Sequence, residues 1–172
     1  MIVCLTGFMG CGKSTVGRAL AQRLGWEFVD LDEYVEHKKG RSVKQIFSDE
    51  GEEVFRAVEA ECIRDVIVMS QVRGRDIVAA LGGGTLSIRS VQSVILEQTV
   101  CIWLRRSLRS CLEEIGGDTS SRPLLSSGTK ELFERRQEDY AKAPFVVDCD
   151  GKSYEQITAE ATGIVTELQK LL

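Results

Sequence analysis

Apolar and polar positions follow two rhythms that alternate along the chain. Short apolar runs bounded by turn residues read as buried strands at 2–5, 27–31, 77–81, 99–104 and 145–148. Between them, apolar residues recur at helical spacing. Val16, Ala19, Leu20 and Leu24 share one face, and Gly25 stops that helix. A polar helix is expected from about 33 to 39, ending at Gly40. Ser42 can cap a short helix through Phe47 that Gly51 ends. Val54, Phe55, Val58, Cys62 and Val66 then mark a longer helix. Ser87 is expected to cap another, and Ser107 to open one that stops near Gly116 and Gly117. Leu132, Phe133, Arg136 and Tyr140 mark a helix before the fifth strand. The last helix carries Ile157, Ala161, Ile164, Val165 and Leu168.

Strands alternating with helices predict an α/β fold whose mostly parallel sheet is covered on both faces. Right-handed crossovers and a ligand site at the carboxyl ends of the strands follow. Two connections exceed ordinary length: residues 33–60, and the Gly/Ser/Thr-rich stretch 116–128. Long inserts on a rigid sheet bind or cover substrate, so 33–60 is read as a substrate-binding insert and 116–128 as a lid.

The 172 residues suit one domain, 1–172, and folding buries about 70% of the extended-chain surface at this size. A core so large needs no disulfides, and the six cysteines form no C-x-x-C pair. With no basic leader and no apolar run of membrane length, the expectation is a soluble, cytoplasmic protein with reduced thiols. The net charge of −4, without a basic stripe, argues against a nucleic-acid surface. A nucleotide pocket needs only a few local cations.

Candidate chemistry starts at Gly7-Phe8-Met9-Gly10-Cys11-Gly12-Lys13-Ser14, which fits G-x-x-x-x-G-K-[ST]. A strand precedes it and a helix follows, as a phosphate loop requires; a bare glycine-rich turn would need neither. The glycines let backbone N–H groups turn toward phosphate oxygens, and the helix N-terminus adds unpaired donors. Lys13 would reach the β/γ-phosphates, and the Ser14 hydroxyl would ligate Mg²⁺. Asp30 and Asp32, at i and i+2 of extended chain, would both face the ligand crevice, one for the metal and one for a proton; alternatively Asp32 caps a helix. Arg56 stands four residues after Glu52, which spacing alone reads as a surface ion pair. Gly82-Gly83-Gly84 after a central strand permits close approach of an oxygen-rich ligand. Arg122 ends the lid stretch, suiting an arginine that brings charge to a transferring phosphoryl group. Arg136 lies on an apolar helix face and needs an anion or a partner carboxylate. His37 sits among charged neighbours as a solvated residue, and the cysteines lack zinc spacing.

Together these segments resemble the shikimate kinase family over essentially the whole chain. The resemblance rests on residues 7–18, Phe28-Val29-Asp30-Leu31-Asp32, Gly40-Arg41-Ser42-Val43, Ile46-Phe47, residues 51–56, Gly82-Gly83-Gly84, Arg122-Pro123-Leu124-Leu125, and Arg136 with Tyr140. It implies a three-layer P-loop kinase fold with a five-stranded parallel sheet in order 2-3-1-4-5, and transfer of a phosphoryl group from ATP to the 3-hydroxyl of shikimate. It implies ATP binding by Gly10, Cys11, Gly12, Lys13, Ser14, Thr15 and Arg122, with Mg²⁺ held at Ser14 and Asp30. Asp32 would hold the substrate hydroxyls, Arg56 and Arg136 the substrate carboxylate, with Gly82, Gly83 and Gly84 beside the ring. Lys13, Asp32 and Arg122 carry the catalysis in this reading, and a monomer is expected. The chain departs from the family pattern in three places. Glu113 and Glu114 stand where an arginine often covers the adenine, so that either another group such as Arg106 or Arg109 covers the base or the adenine is held loosely. The lid is about one residue longer. The proline usual between Arg136 and Tyr140 is missing. A gluconate-kinase-like enzyme and a non-catalytic nucleotide-binding regulator are the alternative readings.

Overall fold

The central strand β1, Ile2–Thr6, is buried along its whole length. Successive strand residues face opposite sides of a sheet, so burial of all five means that both faces are covered. The computed structural model describes residues 1–115 and 127–171. Among them five strands form one sheet in the order β2-β3-β1-β4-β5, every neighbouring pair parallel. The other strands are β2 (Glu27–Asp30), β3 (Ile77–Ala80), β4 (Val100–Arg105) and β5 (Phe145–Asp148). Helices α1 (Lys13–Leu24), α2 (Leu31–Lys39), α3 (Val43–Arg73), α4 (Arg89–Gln98), α5 (Leu108–Ile115), α6 (Ser127–Tyr140) and α7 (Tyr154–Gln169) connect and cover them.

Helix boundaries follow the expected chemistry in most places. Gly25 and Gly40 close α1 and α2 in the left-handed conformation. Ser42 and Ser153 each form a full capping box with the glutamine three residues on. The Ser107 hydroxyl accepts from the Ser110 N–H ahead of α5, as an opening serine should.

Two expectations are corrected, and the one at Gly51 is met. Ser87 does not cap α4; it closes a 3₁₀ turn over Thr85–Ser87, and α4 begins after Ile88 with no side-chain cap. The helices expected on either side of Gly51 are both present within the span of α3, which Gly51 interrupts by taking the non-helical φ 85°, ψ 172°. That conformation costs glycine little and a side-chain-bearing residue much, so the break falls at a glycine. Finally, β2 stops at Asp30 and α2 starts at Leu31, earlier than the polar stretch suggested. The start of α6 at Ser127 lies inside the span read as a lid; residues 116–126 fall outside the described part.

Candidate active site

The loop after β1 anchors inward by its side chains and presents its backbone outward. Phe8 and Cys11 are buried, and the Cys11 N–H donates to the Phe8 carbonyl at 3.1 Å. The Cys11 side chain therefore does not face the ligand space; Gly10, Gly12, Lys13, Ser14 and Thr15 do, along a cavity of about 450 Å³. The Lys13 ammonium donates to the carbonyls of Gly7 (2.8 Å) and Phe8 (3.1 Å), which hold it across the loop. No side chain caps α1, so its first N–H groups stay free for an anion. Gly12, at φ 100°, abuts the Tyr154 ring, which a Cβ there would strike.

Asp30 and Asp32 reach the same cavity, but not by strand alternation. Asp30 is the N-cap of α2: its Oδ1 accepts from the N–H groups of Asp32 (3.1 Å) and Glu33 (3.3 Å). Its Oδ2 accepts from the Ser14 hydroxyl at 2.5 Å. The capping role considered for Asp32 thus belongs to its neighbour, which leaves the Asp32 carboxylate free. Asp32 is exposed to the open cavity as a residue. The protein around its carboxyl still strips enough hydration to be the leading cause of a pKa pushed up to about 6. Repulsion from Glu59, Asp30 and Glu36 adds to this, and Lys13 opposes it.

Beyond Gly83 and Gly84 a second cavity of about 490 Å³ opens, with Arg56 and Arg136 on its walls. Helix α3 supplies Arg56 just past the Gly51 kink. Its Nη1 donates to Glu59 Oε2 at 2.6 Å, while Glu52 lies 3.6 Å from Nε. The expected Glu52 pair exists, then, but the dominant partner is Glu59, which is fully buried and also accepts from the Thr85 hydroxyl. The rings of Phe47 and Phe55 flank the guanidinium at 5.8 and 5.2 Å. Arg136, on α6, lies 6.0 Å from the Phe8 ring, with no carboxylate in ion-pair range among the described residues. Helix α6 is tied down by Tyr140, whose hydroxyl donates to the Gly83 carbonyl at 2.5 Å, and by the edge-on contact of Phe133 with Phe8.

The glycines are required by what crowds them. A Cβ on Gly82 would strike Glu59, one on Gly83 would press on Arg136, and one on Gly84 would strike the Arg56 guanidinium. Two arginines far apart in sequence thus converge over a floor without side chains, beside a phosphate loop.

The family model for shikimate kinase matches residues 9–168. The chain belongs to the shikimate kinase family. Its relatives include the shikimate kinase of Geobacter sulfurreducens, 41% identical over 97% of this chain and 92% of the relative. Another is that of Persephonella marina, 38% identical over 94% and 96%. Among solved structures, the shikimate kinase of Aquifex aeolicus superposes with a TM-score of 0.81 at 31% identity, covering 98% of this chain and 96% of that one. The Acinetobacter baumannii enzyme, solved in complex with shikimate, gives 0.85 at 26% identity, covering 96% and 93%.

Within this family member the structure brings the candidate site residues together along the two cavities with three exceptions, the first being Gly82, which is buried and lines neither. The Cys11 side chain points into the core, and Arg122 lies outside the described residues. Of the two arginines considered as adenine covers, Arg109 is exposed and paired with Glu113 at 3.0 Å, whereas Arg106 is buried behind Tyr154. Sequence reasoning passed over Glu59 and Tyr154. Glu59 had a signal: it falls at helical spacing between Phe55 and Cys62, on the buried face, where a carboxylate needs a partner. Tyr154 had a weaker one, its place at the first position of α7.

Proposed function

We propose that this chain transfers the γ-phosphoryl group of ATP to the 3-hydroxyl of shikimate, giving shikimate 3-phosphate and ADP. The observation that supports it best is the meeting of two cavities at Gly83–Gly84: phosphate loop and Asp32 on one side, Arg56 and Arg136 on the other. Two guanidinium groups suit a carboxylate, and the glycine floor admits a hydroxylated ring close to the backbone. Lys13 holds the phosphates. Asp32, with its raised pKa, orients the acceptor hydroxyl and takes its proton as transfer proceeds. Glu59 positions Arg56.

Mg²⁺ fits this site through Ser14 Oγ and Asp30 Oδ2, two hard oxygens already 2.5 Å apart at the mouth of the loop. Mg²⁺ commonly takes one or two protein oxygens and completes its shell with phosphates and water. When bound it neutralises charge on the transferring phosphates. In this reading residues 33–60 form the substrate-binding insert that carries Arg56, and 116–128 a lid that brings Arg122 to the phosphates. Every residue the reaction needs comes from one chain, so a monomer suffices. No helix among the described residues is long and apolar enough to cross a membrane, in keeping with the cytoplasmic location we propose.

The test is ADP release by purified protein with ATP, with and without shikimate and Mg²⁺. ADP should form only with both. Release as fast with gluconate as with shikimate, or no dependence on either acceptor, would overturn the assignment.

A further inference from the structure

Arg136 has no carboxylate in ion-pair range among the described residues, so its aim is set by the seating of α6. Two sets of contacts hold the C-terminal end of that helix. One is the Tyr140 hydroxyl on the Gly83 carbonyl. The other is a ring of three side chains. Gln92, in the first turn of α4, donates from Nε2 to the Leu86 carbonyl at 2.7 Å and to Asp139 Oδ1 at 3.0 Å. Lys142, just past α6, donates to Gln92 Oε1 and to Asp139 Oδ1, both at 2.9 Å. A carbonyl and a carboxylate only accept, and an ammonium only donates, so the Gln92 amide has a single orientation that satisfies all three.

Burial works against the charge of Asp139, but the bonds it accepts, those from Lys142 and Gln92 among them, outweigh this and hold its pKa below the ordinary carboxylate value. Asp139 is thus ionised at neutral pH, and the bond from Gln92 is charge-assisted. Leu86 lies in the 3₁₀ turn directly after the glycine floor, so Gln92 ties α6 to the segment that Gly83 belongs to. At about 100° of rotation per helical residue, Asp139 and Tyr140 project on either side of Arg136, one turn further along. Their offsets are about 60° one way and about 40° the other. A helix held by one such bond can still roll about it; held by both, its roll is fixed, and Arg136 lies between them. The guanidinium sits so close to Gly83 that a Cβ there would press on its Nη1, so a small roll is enough to move it from the floor.

Asp139 and Lys142 line the arginine-side cavity, whereas Gln92 does not. We infer that Gln92 is a positioning residue for the substrate carboxylate: through Asp139 it fixes the roll of α6, and with it the aim of Arg136. Tyr140 secures the other side of the same helix face. The geometry of the clamp then depends on a residue of α4 that touches no substrate. The inference rests on the reading of this cavity as the shikimate site.

The experiment is equilibrium titration with shikimate, and separately with ATP, of the wild type, Gln92→Leu, Arg136→Ala and the double variant. Gln92→Leu should weaken shikimate by about tenfold, short of the roughly 30-fold for losing the arm outright, and leave ATP within about twofold. In the Arg136→Ala background the same substitution should change shikimate affinity by less than about twofold, because the arm it aims is gone. Its cost in melting temperature should be the same in both backgrounds, since the same bonds are lost. A merely structural role would not separate the two readouts in this way. Gln92→Glu sets two carboxylates against each other and should weaken shikimate at least as much as Gln92→Leu. Adding Asp139→Asn puts an amide donor opposite the new acceptor and should return affinity to within about threefold of wild type. ATP affinity reports that each variant is folded. Additive losses from Gln92→Leu and Arg136→Ala would overturn the inference. So would unchanged shikimate affinity in Gln92→Leu, a matching loss of ATP affinity, or a swap that binds no better than Gln92→Glu alone. No shikimate binding by the wild type would bring down the substrate reading itself, and this inference with it, a different and recognisable result.

Discussion

Arg56 and Arg136 hold the same proposed carboxylate, yet their loss should be felt differently by the fold. Arg56 lies 2.6 Å from Glu59, whose side chain is wholly buried, whereas Arg136 has no carboxylate partner among the described residues. Removing one member of a buried pair leaves the other charged and desolvated, at a cost of roughly 3–5 kcal/mol. Arg56 is itself 22% exposed, and the Thr85 hydroxyl still bonds Glu59, so the lower end of that range applies. At about 3 kcal/mol, and about 2–4 °C per kcal/mol for a domain of this size, Arg56→Ala should lower Tm by about 6–12 °C. Arg136→Ala should lower it by no more than about 2 °C, as expected for a half-buried side chain without a buried partner. Both should weaken shikimate binding by about 30-fold or more, because each removes one arm of the clamp. Adding Glu59→Gln to Arg56→Ala should recover much of the lost Tm and none of the affinity. The assays are calorimetric melting without ligand and titration with shikimate. Equal melting losses in the two single variants, or an unchanged Tm in Arg56→Ala, would refute this reasoning.

Three further predictions follow from the site. The Asp32 carboxyl is raised to about 6, so kcat/KM should climb as pH rises through that value; Asp32→Asn should abolish this limb and cost about 10²–10⁴ in kcat while ATP affinity changes little. The stability sign is the reverse: between the ordinary Asp value of about 3.9 and the raised one, the folded chain binds the extra proton, so Asp32 costs stability as pH rises through this window, and Asp32→Asn removes the cost. Lys13→Ala and Lys13→Arg should both lose nearly all turnover with circular dichroism unchanged, because a larger planar head misfits a loop that holds the ammonium by two carbonyls; near-normal turnover in either would remove Lys13 from the mechanism. Arg122→Ala should lower kcat by on the order of 10³ with shikimate affinity kept, and hydrogen exchange across 116–128 should slow only when both ligands are bound; equal exchange with and without ligands would refute the lid.

Much of this was legible in the sequence, because strand and helix periods are local and caps act within four residues. The element order and the phosphate loop follow from such signals, whereas the convergence of Arg56, Arg136 and the three glycines was implied only by the resemblance to the family. What escaped depended on contacts between distant segments. Asp30 and Asp32 both line the cavity, but strand alternation is not the cause: Asp30 ends the strand and caps α2, and the helix turns Asp32 toward the cavity. Arg56 looked like a surface ion pair because Glu52 is near in sequence, while the partner that fixes it is buried by packing against Thr85. Ser87 carried a capping side chain, but the chain tightens into a 3₁₀ turn before the helix begins.

The floor of Gly83 and Gly84 has a consequence for inhibitor chemistry. Gly83 lines the phosphate-side cavity and Gly84 the arginine-side one, so the two compartments adjoin across neighbouring residues, about 3.8 Å apart from Cα to Cα. A single molecule carrying a nucleotide at one end and a carboxylated ring at the other would need only a bridge of a few atoms. Once one end docked, the other would face its own compartment at millimolar effective concentration, without a second loss of translational freedom. The same floor sets the limit on such a molecule: with two arginines pressed against it, the bridge must be slender, flat and free of positive charge.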